Sequence, residues 1–246
     1  MRTNFIIFLI SSCLLGCSQS DSPASKSGTG GSLARFAIQD NFLYVSTNST
    51  IETFLIEGSN FSRQDSIHIG FGLETIFAKD QYLYLGANDA MYIYSIENPR
   101  KPKFIFRYSH ITSCDPVIVQ GNLAYVTLKV GNCRTGTNTL EILDITNPNS
   151  PVLLQTYPMR SPGGIGIAGT CLFVCEDIHG LTILDVTKPK EIAEIMRITD
   201  VNAYDVIVTK SSLIVTGEDG IFQYSYDCAK RSVSIISQIP VDRSLQ

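Results

Sequence analysis

Apolar and polar positions alternate in short bursts along this chain, and five of the bursts superpose: IETFLIE from Ile51, MYIYSIE from Met91, LEILDIT from Leu140, LTILDVT from Leu181 and IFQYSYD from Ile221. Their starts lie 40, 49, 41 and 40 residues apart. A period of that length means one supersecondary unit copied five times, each copy needing its neighbours to cover its apolar faces. Every copy opens with two β-rich stretches around a polar turn: ARFAIQDNFLYVS, ETIFAKDQYLYLG, DPVIVQGNLAYVT, GIGIAGTCLFVC and YDVIVTKSSLIVT. The turn pairs Asp40-Asn41, Asp80-Gln81, Gly121-Asn122, Gly169-Thr170 and Lys210-Ser211 predict tight antiparallel hairpins. The superposed burst supplies a third strand. In three copies it runs out at Pro99, Pro148 or Pro189, where a residue without an N–H ends the ladder. FSRQDSIHI, KFIFRYSHI, VLLQTYPM, AEIMRITD and SIISQIPV follow, interrupted by polar residues as suits an outer edge strand.

Four antiparallel strands in about 41 residues, repeated radially, predict an all-β, five-bladed β-propeller. A β-sandwich would explain short strands and turns, but it would not require equivalent segments to recur at one period. The chain has no tryptophan, which excludes the WD type of blade. About 210 residues with no break in composition argue for one closed body rather than two domains.

The N-terminus reads differently. Arg2 precedes an apolar run from Phe5 to Leu15, the pattern of an export signal and too short to span a bilayer. The run ends in LLGC, which resembles the lipobox of bacterial lipoproteins; the resemblance implies a signal peptide over residues 1–16 and a lipidated, palmitate-carrying Cys17. Residues 18–32, SQSDSPASKSGTGGS, have almost no apolar side chain to offset ordering entropy, so residues 17–32 form the anchor and its tether and 33–246 the propeller. The expected address is the bacterial envelope, the outer membrane first, with lipid as the membrane attachment. Without Arg2 the chain carries 18 basic against 23 acidic residues and no basic stripe, which argues against nucleic acid as a partner.

The hairpin containing GNLAYV followed by LEILDITNP resembles the LVIVD-repeat proteins, which are bacterial, extracytoplasmic and propeller-like. SCDPVIV at 113–119, the segment around SPGGIGI, LFVC followed by GLTILDV, and NAYDVIV at 202–208 are similar to a lipoprotein subgroup of that family. The first and last copies depart most from the pattern, since IETFLIEGSN and IFQYSYDCAK lack the Asn-Pro exit.

Five further cysteines follow the anchor. Cys114 precedes the first strand of the third copy, and Cys133 lies in the long insertion LKVGNCRTGTN between its second and third strands. Both fall at one end of the sheet, which predicts a Cys114–Cys133 disulfide; a metal site would need additional ligands at close spacing. Cys171 and Cys175 stand four apart on one strand, about 13 Å from each other, and cannot pair. Together with Cys228 they are expected to pack as small apolar residues.

In this topology the loops entering first strands and those joining strands two and three share one face. That face gathers Glu74, His110, Asp115 and Asp205 with Asn88, Asp89, Glu176, Asp177, His179, Glu218 and Asp219. An acidic rim around a funnel suits a cation, a basic protein surface or a polyhydroxylated ligand. Turn chemistry alone also selects Asp, Asn and Gly at NDA, EDIHG and GEDG. His110, His179 and Asp115 lack the HxH or HExxH spacing of a metal site, and no cofactor motif or GxSxG elbow is present. The expected function is non-catalytic binding or assembly with an envelope protein or glycan. The rival is a glycoside hydrolase using Glu74, Asp115 and Asp205 as carboxylates.

Overall fold

The computed structural model describes residues 31–70, 72–109, 116–130 and 136–241. Among them there is no helix, and twenty strands form five four-stranded antiparallel sheets, each built from consecutive strands. Blade one comprises β1 (Phe36–Gln39), β2 (Phe42–Ser46), β3 (Thr50–Glu57) and β4 (Asn60–His68). Blade two comprises β5 (Leu73–Lys79), β6 (Tyr82–Ala87), β7 (Ala90–Ser95) and β8 (Lys103–Ser109). Blade three comprises β9 (Val117–Gln120), β10 (Leu123–Leu128), β11 (Thr139–Asp144) and β12 (Val152–Pro158). Blade four comprises β13 (Ile165–Ala168), β14 (Cys171–Cys175), β15 (Leu181–Asp185) and β16 (Ala193–Ile198). Blade five comprises β17 (Ala203–Val208), β18 (Ser212–Gly217), β19 (Gly220–Asp227) and β20 (Ser232–Pro240).

Local chemistry sets the repeat. Four of the first hairpins turn through two residues, and the leading one sits in the left-handed region: Asp40 at φ 54°, Asp80 at 54°, Gly121 at 57° and Gly169 at 55°. Asp and Gly tolerate that conformation at little cost. Blade five is the exception, because Val208 pairs with Leu213 and the connection is four residues long. The Thr209 hydroxyl organises it, accepting from the Ser212 amide at 3.0 Å. A register shift recurs between third and fourth strands of every blade, at Thr53, Ile93, Ile142, Ile183 and Gln223, which are equivalent positions. Such a bulge deepens the twist each sheet needs to stand beside the next.

The core lies between blades, and second strands show how. Tyr44, Tyr84, Tyr125 and Phe173 are equivalent, all at 3% exposure or less, and each faces the following blade. There each meets a flanking aliphatic pair: Leu83 and Leu85, Ala124 and Val126, Leu172 and Val174, or Leu213 and Val215. Among the described residues the buried apolar side chains form four clusters, one for each of the first four junctions. The fifth junction is unsealed. On blade one Leu43 and Val45 stay partly exposed, on blade five Ile214 does, and Phe36 and Ile221 are 53% and 42% exposed. The expected closed body is therefore sealed by apolar packing at four junctions and open at the junction of blades five and one.

The end blades have other fastenings. Cys171 of β14 is disulfide-bonded to Cys228 beyond β19, with Cα atoms 5.8 Å apart, so blade five is stapled to blade four. This corrects the expectation that both cysteines are free. They lie 57 residues apart in the chain and become neighbours only because one blade packs on the next. Cys175 is free and buried, as expected. On blade one the Tyr44 hydroxyl donates to the Pro99 carbonyl of blade two at 3.0 Å, and the Arg100 guanidinium lies 5.8 Å from the Phe42 ring centroid.

Candidate binding face

The upper face, where first strands begin and second strands end, is crossed by the chain's own N-terminal segment. The Ala34 amide donates to the Gly31 carbonyl at 3.0 Å, forming a turn that inserts Ser32 until it is 4% exposed. The Ser32 hydroxyl accepts from the Ile165 amide of blade four at 2.6 Å and donates to the Asp205 carboxylate of blade five at 3.3 Å. The Ile76 amide of blade two donates to the Ala34 carbonyl at 3.1 Å. One short segment thus joins blades two, four and five at the axis.

Asp205 anchors that crossing. Burial raises its carboxyl above the usual aspartate range, and hydrogen bonds from the Val206, Leu33 and Ser32 amides and the Ser32 hydroxyl offset part of the rise. A side chain at Gly164 would collide with this carboxylate, which explains why the SPGG segment places a glycine there. Glu74 is partly exposed; burial raises its carboxyl as well, against a lowering influence from Arg35. In the orientation that matches donors to acceptors, the Asn88 amide donates to Glu74 at 3.2 Å and to the Gly72 carbonyl at 3.3 Å.

Glu176 is fully buried, unlike the exposed rim residue expected from the EDIHG turn. It accepts from the Arg160 amide at 2.6 Å, the Thr182 hydroxyl at 2.5 Å and the Arg197 guanidinium at 2.5 Å. Burial alone would raise its carboxyl, but these donors outweigh it and hold the group below the usual glutamate range. Asp177, at φ 48°, pairs its backbone with Ala203 of blade five through bonds of 3.0 and 3.1 Å, while its side chain takes Lys129 and the Ser161 hydroxyl. Asp89 is bound by Arg107 at 2.6 Å and by the Tyr92 hydroxyl. Glu218 accepts from Asn202 at 2.6 Å, Asp219 is exposed, and His179 is partly exposed. The acidic side chains brought together here are thus largely bound by the protein's own donors. Among the described residues no group of three or more His, Cys, Asp or Glu forms a metal-binding cluster. Cys17, Cys114, Cys133, His110 and Asp115 lie outside the described residues.

Two residues of this face were missed by sequence reasoning. Ile178 is 71% exposed at the tip of the β14–β15 turn, and Tyr204 is 44% exposed at the start of β17. The antiparallel Asp177–Ala203 bridge ties the two segments that carry them; each stands one residue beyond the bridge on its own segment, so the two lie diagonally rather than opposite. The available signal was an isoleucine in an otherwise polar turn and a tyrosine breaking the alternation of AYDVIV. Below the N-terminal segment an axial cavity of about 290 Å³ is lined by Phe77, Ile118, Ile167, Val206 and Val208, with Lys79 at its lower end.

Five radial four-stranded sheets define a β-propeller. Within it, residues 113–158, essentially blade three, match the LVIVD repeat. No curated protein sequence matches the chain. Among solved structures it is similar to a candidate 6-phosphogluconolactonase from Bacteroides fragilis, with TM-score 0.68 and 15% identity over 85% of this chain and 70% of that one. It is also similar to the periplasmic gluconolactonase PpgL of Pseudomonas aeruginosa, with TM-score 0.62 and 13% identity over 82% and 68%. BamB from Moraxella catarrhalis aligns with TM-score 0.57 and 12% identity over 76% and 55%. Identities this low establish the fold and leave the chemistry to the residues.

Proposed function

We propose that this protein is a lipid-anchored propeller of the bacterial envelope, at the outer membrane, working as a non-catalytic binding or assembly module for an envelope protein. The supporting observation is the exposure of Ile178 and Tyr204 on two segments tied by the Asp177–Ala203 bridge, with polar His179 and Asn202 near them along the chain and Glu218 bonded to Asn202. Exposed aromatic and aliphatic side chains with hydrogen-bonding groups nearby match the composition of a protein-recognition patch. A solved nidogen–laminin complex is among the similar structures, with TM-score 0.58 and 13% identity over 82% and 76%, so this scaffold occurs in a protein complex. Cys17 supplies the anchor in this reading and residues 18–30 the tether, since Ser32 is held against blades four and five.

The rival glycosidase reading needs two carboxylates open to a sugar. Asp205 is held by amides of the N-terminal segment, which weighs against it. The test is capture from envelope membranes by the mature chain carrying Cys17→Ser. Ile178→Asp with Tyr204→Ala is expected to lose the captured protein. Capture unchanged by the double variant would refute this surface, and capture that survives protease treatment of the membranes would assign the partner to glycan.

A further inference from the structure

The axial cavity lies apart from Ile178 and Tyr204, and its walls have one consistent chemistry. First strands of blades two to five supply them: Phe77 from β5, Ile118 from β9, Ile167 from β13, and Val206 and Val208 from β17. A side chain at Gly166 would meet Val208 at 2.5 Å, so β13 carries glycine where blades four and five close the wall. The N-terminal segment covers the upper end, where the Ala34 carbonyl takes the Ile76 amide and Ser32 takes the Ile165 amide. At the lower end, beside the first-hairpin turns, the lining becomes polar through Gln120 and Lys79. Gln120 directs its side-chain amide to the Gly169 carbonyl at 2.7 Å. Lys79 meets Asp80 at 3.3 Å, an exposed contact that occupies one of its three ammonium donors.

We propose that this cavity binds a short-chain aliphatic carboxylate, with the alkyl chain between the four inner strands and the carboxylate on the Lys79 ammonium. Apolar walls favour hydrocarbon over water: an apolar cavity of about 150 Å³ stays dry and takes benzene. The volume here, about 290 Å³, stands near the lower end of the range for ligand pockets, roughly 300 Å³. It suits one short chain and is too small for a two-chain lipid. A single ammonium at the mouth matches a monoanion, and an ammonium with three donors can hold a second carboxylate beside Asp80. The Asp80 side chain is 73% exposed, so solvent screens its repulsion of the incoming anion. Because the N-terminal segment covers the upper end, the ligand enters from below.

The test is titration calorimetry of the mature chain carrying Cys17→Ser with sodium butanoate, sodium hexanoate and hexan-1-ol. Each methylene moved from water to the walls tightens binding about fourfold, so hexanoate should bind one site about fifteenfold more tightly than butanoate. Lys79→Gln, on a side chain that is 42% exposed, should weaken hexanoate about fivefold and leave hexan-1-ol unchanged. Val208→Phe, which fills the cavity, should remove saturable binding of both. Isotope-filtered NMR reads the same site without that variant: the terminal methyl of hexanoate should show contacts to the methyls of Ile118, Ile167 and Val206. Three results would overturn the proposal: no saturable hexanoate binding by the wild-type chain, contacts only to methyls outside the cavity, or a hexanoate affinity indifferent to Lys79→Gln.

Discussion

Replacing Cys228 by alanine should release blade five. Among the described residues blade five shares a buried apolar cluster only with blade four, and the disulfide to Cys171 closes a loop of 57 residues. Chain-entropy arithmetic for that length gives about 4 kcal/mol of stabilisation. For a body of this size each kcal/mol moves the melting point by about 2–4 °C, so Cys228→Ala should lower it by about 8–16 °C. The loss should be local first, since the other three junctions keep their packing. Limited proteolysis should cut between blades four and five, near residues 199–203, before anywhere else in the body. The assay is calorimetry of Cys228→Ala beside wild type, both carrying Cys114→Ser and Cys133→Ser to exclude thiol exchange. Maleimide labelling of folded, exported wild type should leave Cys171 and Cys228 unmodified by virtue of their bond, and Cys175 unmodified by virtue of its burial. Labelling at Cys228 without reductant, or a melting point untouched by the substitution, would refute the staple.

Glu176→Gln should cost about 2 kcal/mol at neutral pH, because it removes the charge that strengthens the Arg197 hydrogen bond, while Arg197 keeps Glu194 at 2.8 Å. The folded-state carboxyl titrates below its unfolded value, so its contribution is complete above the ordinary glutamate range and is lost as pH falls through the folded value; urea midpoints of variant and wild type should therefore converge in acid. Thr53→Val should raise stability by about 1 kcal/mol, since the Thr53 hydroxyl is buried without a partner and the equivalent positions in the next three blades are Ile93, Ile142 and Ile183. Urea denaturation measures that gain, and a loss of stability would mean that the hydroxyl has a partner.

The blades were legible because their causes are local. A period near 41 residues, paired turn residues and proline exits each act within one sheet, and all five third strands fall where the superposed bursts predict them. The binding face was harder to read because its causes are distant. Thr182 lies close in the chain, but nothing near EDIHG reveals that Glu176 will also meet Arg160 and Arg197, which approach from separate segments and help turn a rim residue into a buried one. Asp205 reads as an acid at the start of an inner strand, but its partners Ser32 and Leu33 lie where the expected tether meets the propeller, more than 170 residues away.

The open junction was written in the departures from the repeat. At the second-strand position where four blades carry Tyr44, Tyr84, Tyr125 and Phe173, blade five carries the smaller Ile214; at the third-strand bulge, where blades two to four carry isoleucine, it carries Gln223. Both changes fall on the outward face alone, while Leu213, Val215, Phe222 and Tyr224 keep the inward face fully apolar and buried. A blade covered on one side only meets water on the other, and the smaller Ile214 and the polar Gln223 both fall on the uncovered side. By the same argument the apolar residues kept on that face, Ile207, Ile214, Ile221 and Ile239, are more than solubility requires. A face that met only water would favour polar side chains at those positions too, so this side of blade five keeps the composition of a junction surface.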